Sequence, residues 1–211
     1  YICVSNVHTT VTAYENRNYR RVQNGAAMVF PDGGPLSIVC RLRGYKNASR
    51  VTGPDFMGEI FKEKGVRQFF YGSTPETLDK LRGILEKEHP DIQICGMYSP
   101  PFRTLSHEED EEIVDMINAA KPDIVWIGLG APKQENWMAK HEGRINAVMV
   151  GVGAGFDYFA GNIKRAPMIM QKLSLEWLYR LVQEPKRLYK RYFSTNTVFL
   201  TANYRFWKQY R

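Results

Sequence analysis

The sequence has few cysteines and no long apolar run, and both shortages narrow the classes of protein to which it can belong. Its three cysteines, Cys3, Cys40 and Cys95, are an odd number without metal-ligand spacing, so we expect neither a disulfide framework nor a zinc site. Each lies among apolar residues, which predicts reduced, buried thiols. No apolar run approaches the roughly 18 residues of a transmembrane helix, so no membrane-spanning segment is expected.

The short motifs of several well-known catalytic sites are also missing. The sequence has no GxxxxGK[ST] phosphate-binding loop, no GxSxG nucleophile elbow, and no HExxH or CxxC pair. Gly128-Leu129-Gly130 lacks the third glycine of a dinucleotide fingerprint, and no acidic residue occupies a convincing ribose position. We therefore expect no bound metal and no cofactor. The acidic residues at 108–112 are interpreted as a solvated helix start rather than a metal site.

What the sequence contains is an alternation of short apolar runs with helical segments. Apolar runs at residues 124–127 and 147–150, joined by a predicted helix at 133–141, are typical of parallel strands that are buried on both faces. Further strands are predicted at 2–4, 26–30, 68–71 and 92–97, and further helices at 9–22, 35–42, 56–64, 76–89 and 108–120. The pattern predicts an α/β fold with three layers around a mostly parallel sheet of about six strands.

Both of the clearest predicted strands end in a glycine turn, at residues 128–132 and 151–155. Ligands of open parallel sheets bind beyond the carboxyl ends of the strands, where both turns would lie. Glycines let a ligand approach the backbone closely, and the helix start at Lys133 and Gln134 is expected to offer free amide groups to an anion. The pattern predicts a nucleotide-sized site. Its candidate binding residues are Gly130, Lys133, Gln134, Gly153 and Asp157.

Three charged residues earlier in the chain allow both a structural and a functional interpretation. Asp32 follows a predicted strand in a Pro-Asp-Gly-Gly-Pro turn, where it is either a turn former or helix cap, or a carboxylate base on the ligand side. Arg50 has no obvious partner in the neighbouring sequence and pairs either with a phosphate or with a structural carboxylate. Asp55, like Thr52, is either a cap for the helix that follows or a binding group.

Charge is distributed unevenly along the chain. From residue 164 onward, 11 Lys and Arg residues stand against Glu176 and Glu184, a net charge of +9, whereas residues 1–163 carry a net charge of −2. A helix over residues 186–193 would place basic and apolar side chains on opposite sides. The basic side holds Lys186, Arg187, Lys190 and Arg191, and the apolar side holds Leu188, Tyr189, Tyr192 and Phe193.

A basic, aromatic amphipathic helix of this kind is typical of a segment that lies on an anionic membrane surface. Each basic residue near such a surface contributes about 1 kcal/mol, enough for a few of them to hold a protein there reversibly. The alternative is that the apolar side packs on the protein's own core while the charges are solvated. Basic tails also bind nucleic acid, but no RNP, KH or helix-turn-helix pattern is present, so no nucleic-acid partner is expected.

Longer motifs resemble those of a known family. They are VWIGLGAPKQENWM and VGVGAGFDYFAG, then KRAP, and the pattern W-L-x-R-L-x-x-E-P-x-R-L-x-x-R-Y at residues 177–192. Upstream, Asn6, a PDG containing Asp32, RVTGPD at residues 50–55 and SPPF at residues 99–102 occur in the family's order. Over essentially the whole chain, the sequence resembles the WecG/TagA/CpsF glycosyltransferases, glycosyltransferase family 26.

The resemblance implies a Rossmann-like catalytic core, here residues 1–163, and a basic, aromatic C-terminal helical appendage, residues 164–211, that completes the active site and touches the membrane. It implies an inverting, metal-independent transferase that moves an N-acetylmannosamine-type sugar from a UDP donor to an undecaprenyl-diphosphate-linked acceptor. Such enzymes build teichoic-acid linkage units and other bacterial surface polysaccharides. Because UDP-sugars are made in the cytoplasm, we expect a peripheral protein on the inner face of the plasma membrane.

The resemblance also implies roles for particular residues. Asp32 matches the family's proposed catalytic base, which would take the proton from the acceptor hydroxyl. Gln134 and Arg50 match positions linked to the donor or its diphosphate, where a positive side chain would stabilise the leaving group. Arg180, Arg187 and Arg191 match basic positions expected near the lipid diphosphate or headgroups.

The first-strand motif departs from the family pattern. Asn6 matches its asparagine, but the threonine that often lies two residues earlier is replaced by Val4, with Ser5 adjacent. If the threonine hydroxyl orients the sugar in the family, this chain must use the Ser5 hydroxyl or lack that contact. The identity of the donor sugar therefore stays open. Two alternatives therefore stand beside the main prediction: a glucosyl- or uronosyltransferase acting on another lipid-linked oligosaccharide, and a non-catalytic nucleotide-sugar or nucleic-acid binding module.

Overall fold

Six parallel strands form one sheet, in the order β2-β1-β6-β5-β3-β4. The computed structural model describes residues 1–209, except for the side chains of Lys172, Arg187 and Arg191. The strands are β1 (Ile2–Ser5), β2 (Met28–Pro31), β3 (Arg67–Gly72), β4 (Gln93–Tyr98), β5 (Ile124–Gly128) and β6 (Val148–Gly151). The sheet confirms the predicted α/β class, the number of strands and their parallel direction.

Helices connect the strands, and further helices form the C-terminal segment. They are α1 (Val7–Glu15), α2 (Arg17–Gly25), α3 (Gly34–Leu42), α4 (Gly53–Ile60), α5 (Pro75–Glu88), α6 (His107–Ala119), α7 (Lys133–Lys140), α8 (Gly155–Phe159), α9 (Met168–Lys172), α10 (Glu176–Gln183) and α11 (Pro185–Gln209). The predicted single helix at 9–22 is wrong, because the chain restarts at Asn16. The side-chain oxygen of Asn16 accepts hydrogen bonds from the amides of Asn18 (2.9 Å) and Tyr19 (3.1 Å), which caps α2.

The chain divides into two compact units. The sheet unit contains Tyr1–Val4, Gly25–Val29 and Gly53–Lys164. The helical unit contains Ser5–Asn24, Phe30–Thr52 and the C-terminal segment from Arg165. Strands β1 and β2 therefore begin in the sheet unit and end in the helical unit.

Alternate residues of the central strands build two apolar layers of the sheet unit, one on each face. One layer joins Phe69, Tyr71, Val125, Ile127 and Met149 to α6 and α7 through Ile113, Val114, Ile117 and Met138. The other joins Phe70, Trp126 and Val150 to α4, α5 and α8 through Met57, Leu78, Leu81, Leu85 and Phe156. This is the three-layer arrangement that the alternating sequence predicts.

The acidic start of α6 is solvated only in part. Asp110 is 7% exposed, its carboxylate accepts hydrogen bonds from Lys140 (3.0 Å) and Arg144 (3.2 Å), and its Oδ1 lies 3.1 Å from Nε2 of the His141 ring. Burial opposes ionisation of this carboxyl, but the hydrogen bonds from Lys140 and Arg144 outweigh it and keep the pKa of Asp110 below its usual value. The predicted solvated cluster is therefore wrong for Asp110, because basic residues at the end of α7 surround it.

The core of the helical unit includes part of α11. Phe199 is buried with Val11 of α1 and Leu36 of α3, and Leu188 is fully buried. By contrast, Tyr189 and Phe193 are 62% and 69% exposed. The predicted apolar side of residues 186–193 is therefore not one surface: part of it packs in the core and part faces solvent.

Two further expectations concern cysteines and the membrane. All three thiols are free; Cys3 is buried as predicted, whereas Cys40 and Cys95 are only half-buried. Within residues 1–209, none of the helices combines the length and the apolarity needed to cross a bilayer.

Candidate active site

The two predicted glycine turns lie at the carboxyl ends of β5 and β6 in the sheet unit. Two of their glycines are required by internal packing. A Cβ on Gly128 would lie 2.7 Å from the Phe156 ring, and a Cβ on Gly151 would lie 2.8 Å from the methyl carbon of Met138. These positions exclude a side chain for reasons unrelated to a ligand.

The other two candidates, Gly130 and Gly153, are open. Their φ angles are +77° and +54°, a left-handed conformation that favours glycine. A Cβ on Gly130 would meet no atom within 4 Å, and one on Gly153 would meet only the Gln134 oxygen, at 3.9 Å. The predicted close approach of a ligand to the backbone therefore suits Gly130 and Gly153.

Gln134 is enclosed rather than facing solvent. It is 3% exposed, and its side-chain oxygen accepts a hydrogen bond from the Gly153 amide at 3.0 Å. Its Nε2 donates to the carboxylate of Glu135 at 2.9 Å, and Glu135 is fully buried. The amide of Gln134 donates to the Gly130 carbonyl at 3.0 Å. The prediction that the Gln134 backbone amide is free to bind an anion is therefore wrong. Lys133, at the first position of α7, is exposed.

A polar cluster holds Asp157 at the start of α8. Its Oδ1 accepts a hydrogen bond from Asn162 Nδ2 at 3.2 Å. Asn162 Nδ2 also donates to Thr77 (3.0 Å), and its Oδ1 accepts from Lys80 (3.1 Å). Asp157 is half-buried. Asp55, the remaining candidate of the sheet unit, is exposed in the first turn of α4, where a negative charge suits the helix dipole.

In the helical unit, backbone hydrogen bonds fix the turn that carries Asp32. The Asp32 amide donates to the Ser5 carbonyl at 2.7 Å, and Gly33 occupies the N-cap position of α3 with φ +124°. The Val51 amide donates to the Pro31 carbonyl at 3.0 Å. This bond brings the segments that carry Asp32 and Arg50 side by side within the unit.

Asn6 and Ser5 serve the start of α1. The side-chain oxygen of Asn6 accepts from the Thr9 amide at 3.2 Å, and Thr9 Oγ1 accepts from the Asn6 amide at 2.8 Å, a reciprocal capping box. Ser5 is 3% exposed, and its hydroxyl lies 2.9 Å from the Thr9 hydroxyl and 3.5 Å from the Gln23 side chain. Ser5 is therefore enclosed by the protein and does not offer the sugar-orienting hydroxyl that the sequence left open.

The arginines expected near a diphosphate pair with carboxylates of the C-terminal segment. Arg50 lies 2.6 Å from Glu176, the first residue of α10, and its NH1 lies 3.5 Å from the Gln171 carbonyl. Arg180 lies 3.6 Å from Glu184. Arg50 therefore has a carboxylate partner in the structure, and its pairing with a phosphate stays a prediction.

The side chains of Arg187 and Arg191, also expected near the lipid diphosphate, fall outside those the structure describes. Among the described residues, no group of three His, Cys, Asp or Glu side chains is arranged to hold a metal ion.

Sequence reasoning gave no role to Glu135 or Glu176. A helical wheel over α7 contains a signal for the first, because Gln134, Met138 and His141 recur at helical spacing and all are buried, with Glu135 beside them. Nothing in the local sequence identifies Glu176 as the partner of Arg50, because the two residues are far apart in the chain.

Six parallel strands flanked by helices define a Rossmann-like α/β protein, and its open glycines and polar cluster lie at the carboxyl ends of the strands. The chain belongs to the glycosyl transferase WecG/TagA/CpsF family, whose sequence profile matches residues 1–211. This confirms the family that the motifs indicate.

Similar proteins extend the comparison. A Bacillus spizizenii protein is 34% identical over 89% of this chain and 72% of its own length. A Bacillus subtilis protein is 33% identical over 95% of this chain and 78% of its own length. A Staphylococcus aureus protein is 33% identical over 89% of this chain and 74% of its own length. All three are named N-acetylglucosaminyldiphosphoundecaprenol N-acetyl-beta-D-mannosaminyltransferase.

Proposed function

We propose that this protein transfers an N-acetylmannosamine-type sugar from a UDP donor to an N-acetylglucosamine linked to undecaprenyl diphosphate. The observation that carries the proposal is the similarity, at 33–34% identity over 89–95% of the chain, to relatives named for that reaction. The fixed Asp32 turn and the open glycines Gly130 and Gly153 are the features of this chain that suit it.

In the proposed reaction, the acceptor hydroxyl attacks the anomeric carbon of the donor while its proton passes to the Asp32 carboxylate. The bond from the anomeric carbon to the diphosphate oxygen breaks on the opposite face, which inverts the configuration and releases UDP. Arg50, which lies in the same unit as Asp32, is the candidate to stabilise the charge that develops on the leaving diphosphate. In this proposal its side chain takes the role that a divalent metal has elsewhere.

The Asp32→Asn variant tests the base. We expect UDP binding to be retained and turnover to fall by about 10²–10⁴-fold, the usual contribution of a general base. Asp115→Asn, an exposed position on α6, is the matched control and should keep full activity. Near-normal turnover by Asp32→Asn would remove Asp32 from this role.

A panel of donors tests the sugar. UDP-N-acetylmannosamine, UDP-N-acetylglucosamine, UDP-glucose and UDP-glucuronate are each supplied with a lipid-diphosphate N-acetylglucosamine acceptor, and the product is identified by mass. Transfer of N-acetylmannosamine alone supports the proposal. Preferred transfer of glucose or glucuronate would instead establish the alternative transferase, and binding of a UDP-sugar without transfer to any acceptor would favour the binding-module alternative.

We further propose that the C-terminal segment places the protein on an anionic membrane surface. This segment has a net charge of +9 and exposes large apolar side chains beside its basic residues. Those that are at least 60% exposed are Met168, Ile169, Leu173, Val182, Tyr189, Phe193, Leu200 and Tyr204. Exposed apolar side chains flanked by Lys and Arg are what an interfacial segment requires.

Point variants test the membrane surface better than a deletion, because removing α11 would also remove Leu188 and Phe199 from the core. We expect the double variant Ile169→Glu, Phe193→Glu to lose most of its sedimentation with phosphatidylglycerol-containing vesicles. The double variant Thr197→Glu, Thr201→Glu carries the same charge change on polar positions of α11 and should lose less. Equal losses would show that charge alone holds the protein and that the apolar side chains do not insert.

A further inference from the structure

Gln134 makes its side-chain contacts with the protein itself. Its Nε2 donates to Glu135 and its Oε1 accepts from the Gly153 amide, at 2.9 and 3.0 Å. With 3% of the residue exposed, both ends of the side-chain amide are enclosed. Gln134 thus links the start of α7 to the glycine turn after β6.

The partner of each end fixes the orientation of this amide. Glu135 offers only acceptor oxygens when ionised, and the Gly153 N–H is only a donor. Therefore one orientation alone, with nitrogen toward Glu135 and oxygen toward Gly153, satisfies both contacts. A buried carboxylate is costly without donors, so the hydrogen bond from Gln134 stabilises Glu135.

The neighbouring strands leave space for this link. A Cβ on Gly151 would lie 2.8 Å from the methyl carbon of Met138 and 3.0 Å from Gln134 Nε2, so a side chain at that position would crowd both of them. Glu135 also lies near Cys3 of β1, where burial and the Glu135 carboxylate raise the pKa of the Cys3 thiol to about 12. The link between Gln134 and Gly153 therefore lies where α7 packs against the end of β6.

We propose that Gln134 is a positioning residue, which acts on the donor through Gly153 and does not touch the donor itself. It holds the backbone of the turn after β6, where Gly153 is open to a ligand, and Glu135 holds Gln134. The proposal rests on the proposed function in one respect: the ligand of the turn is taken to be the UDP moiety of the donor.

The first test compares UDP binding and donor kinetics across variants of the whole chain. Gln134→Met removes both hydrogen bonds at similar volume. Gly151→Ala keeps Gln134 but crowds its side-chain amide and the Met138 methyl, so a Met138 variant is needed as the control. We expect both variants to raise the Kd for UDP and the donor KM by about tenfold, which corresponds to about 1.4 kcal/mol, with kcat changed only a few-fold. Met138→Leu is the matched packing control and should leave the Kd unchanged.

A direct contact between Gln134 and the donor predicts another result. In that case Gln134→Met would weaken UDP binding or lower kcat, whereas Gly151→Ala would leave the UDP Kd unchanged, and the positioning role would be overturned. If Gly151→Ala does not fold, Glu135→Gln replaces it: this variant keeps the volume and should raise the Kd more than threefold. An unchanged Kd for folded Glu135→Gln would overturn the proposal in the same way.

Amide hydrogen exchange separates this inference from the proposed function. The Gly153 amide should be protected in the native protein without ligand, and that protection should be lost in Gln134→Met but kept in Met138→Leu. Rapid exchange of Gly153 in the native protein would overturn the positioning role whatever the protein binds. A native protein that protects Gly153 but does not bind UDP would instead refute the donor class alone.

Discussion

Replacing Glu176 with Gln tests whether Arg50 exchanges its carboxylate partner for the donor's diphosphate. Arg50 matches a family position linked to the diphosphate, yet it lies 2.6 Å from Glu176 in the structure. A carboxylate and a phosphate oxygen make similar charge-assisted hydrogen bonds to a guanidinium, so the two compete for one side chain. Removing the charge of Glu176 should therefore make Arg50 easier to recruit and tighten UDP binding.

The geometry sets the size of this effect. The Arg50 and Glu176 side chains are 19% and 27% exposed, so the ion pair is less screened than a surface pair. Exposed pairs contribute about 0.2–1 kcal/mol, and we assign this one about 1 kcal/mol. If that energy is lost whenever the diphosphate binds, Glu176→Gln should lower the Kd for UDP about fivefold, since tenfold corresponds to about 1.4 kcal/mol.

Calorimetric titration of UDP at moderate salt measures the change. Glu59→Gln is the matched control, because it removes one carboxylate from an exposed pair with Lys62 and changes the net charge equally. That variant should bind UDP like the native protein. A Glu176→Gln protein with unchanged or weaker UDP binding would refute the competition and leave the ion pair as a fixed contact of α10.

Three further predictions concern the sheet unit. Asp110→Asn should lower the unfolding free energy at pH 7 by about 3 kcal/mol in urea titrations, as for a broken buried ion pair. Because the pKa of Asp110 is lowered by folding, its contribution is present above about pH 4 and is lost as the pH falls further, so the variant should show a weaker pH dependence there. Gly128→Ala should destabilise by about 2–3 kcal/mol through overlap with Phe156, and open Gly130→Ala by about 1 kcal/mol through backbone strain, both measured by urea unfolding. Cys3, buried and with its pKa raised to about 12, should resist thiol reagents in the native protein and react after unfolding.

The sheet was predictable because its central strands are buried on both faces. An uninterrupted apolar run as short as residues 124–127 suits a strand that is covered on both sides, and the glycines that follow mark where the strand ends. The break between α1 and α2 was less accessible, because it depends on one local choice, the hydrogen bonds of the Asn16 side chain to the next helix. The periodicity of apolar residues does not reveal such a hydrogen bond.

The motifs name candidate site residues, but they do not predict the contacts that these residues make. The motifs identify Gln134, Arg50 and Asn6, but each has a partner that local sequence does not reveal. Asn6 caps α1, Arg50 pairs with Glu176, and Gln134 joins Glu135 to Gly153. A motif reports which side chains matter to a family, whereas burial decides whether such a side chain meets the ligand or supports the backbone that does.

Burial also separates two apolar surfaces of α11. A helical wheel of the sequence places both on one side of the helix. Tyr189, Phe193, Leu200 and Tyr204 follow each other at helical spacing and share one side of the helix, where all are more than 60% exposed. Leu188 and Phe199 each lie one position earlier than a member of that set, and both are buried. One residue rotates a side chain by about 100° around a helix axis, so the two sets are adjacent stripes of one broad apolar arc. The sequence therefore predicts the arc, but only the packing of Phe199 against Val11 and Leu36 shows which part of it remains exposed to solvent.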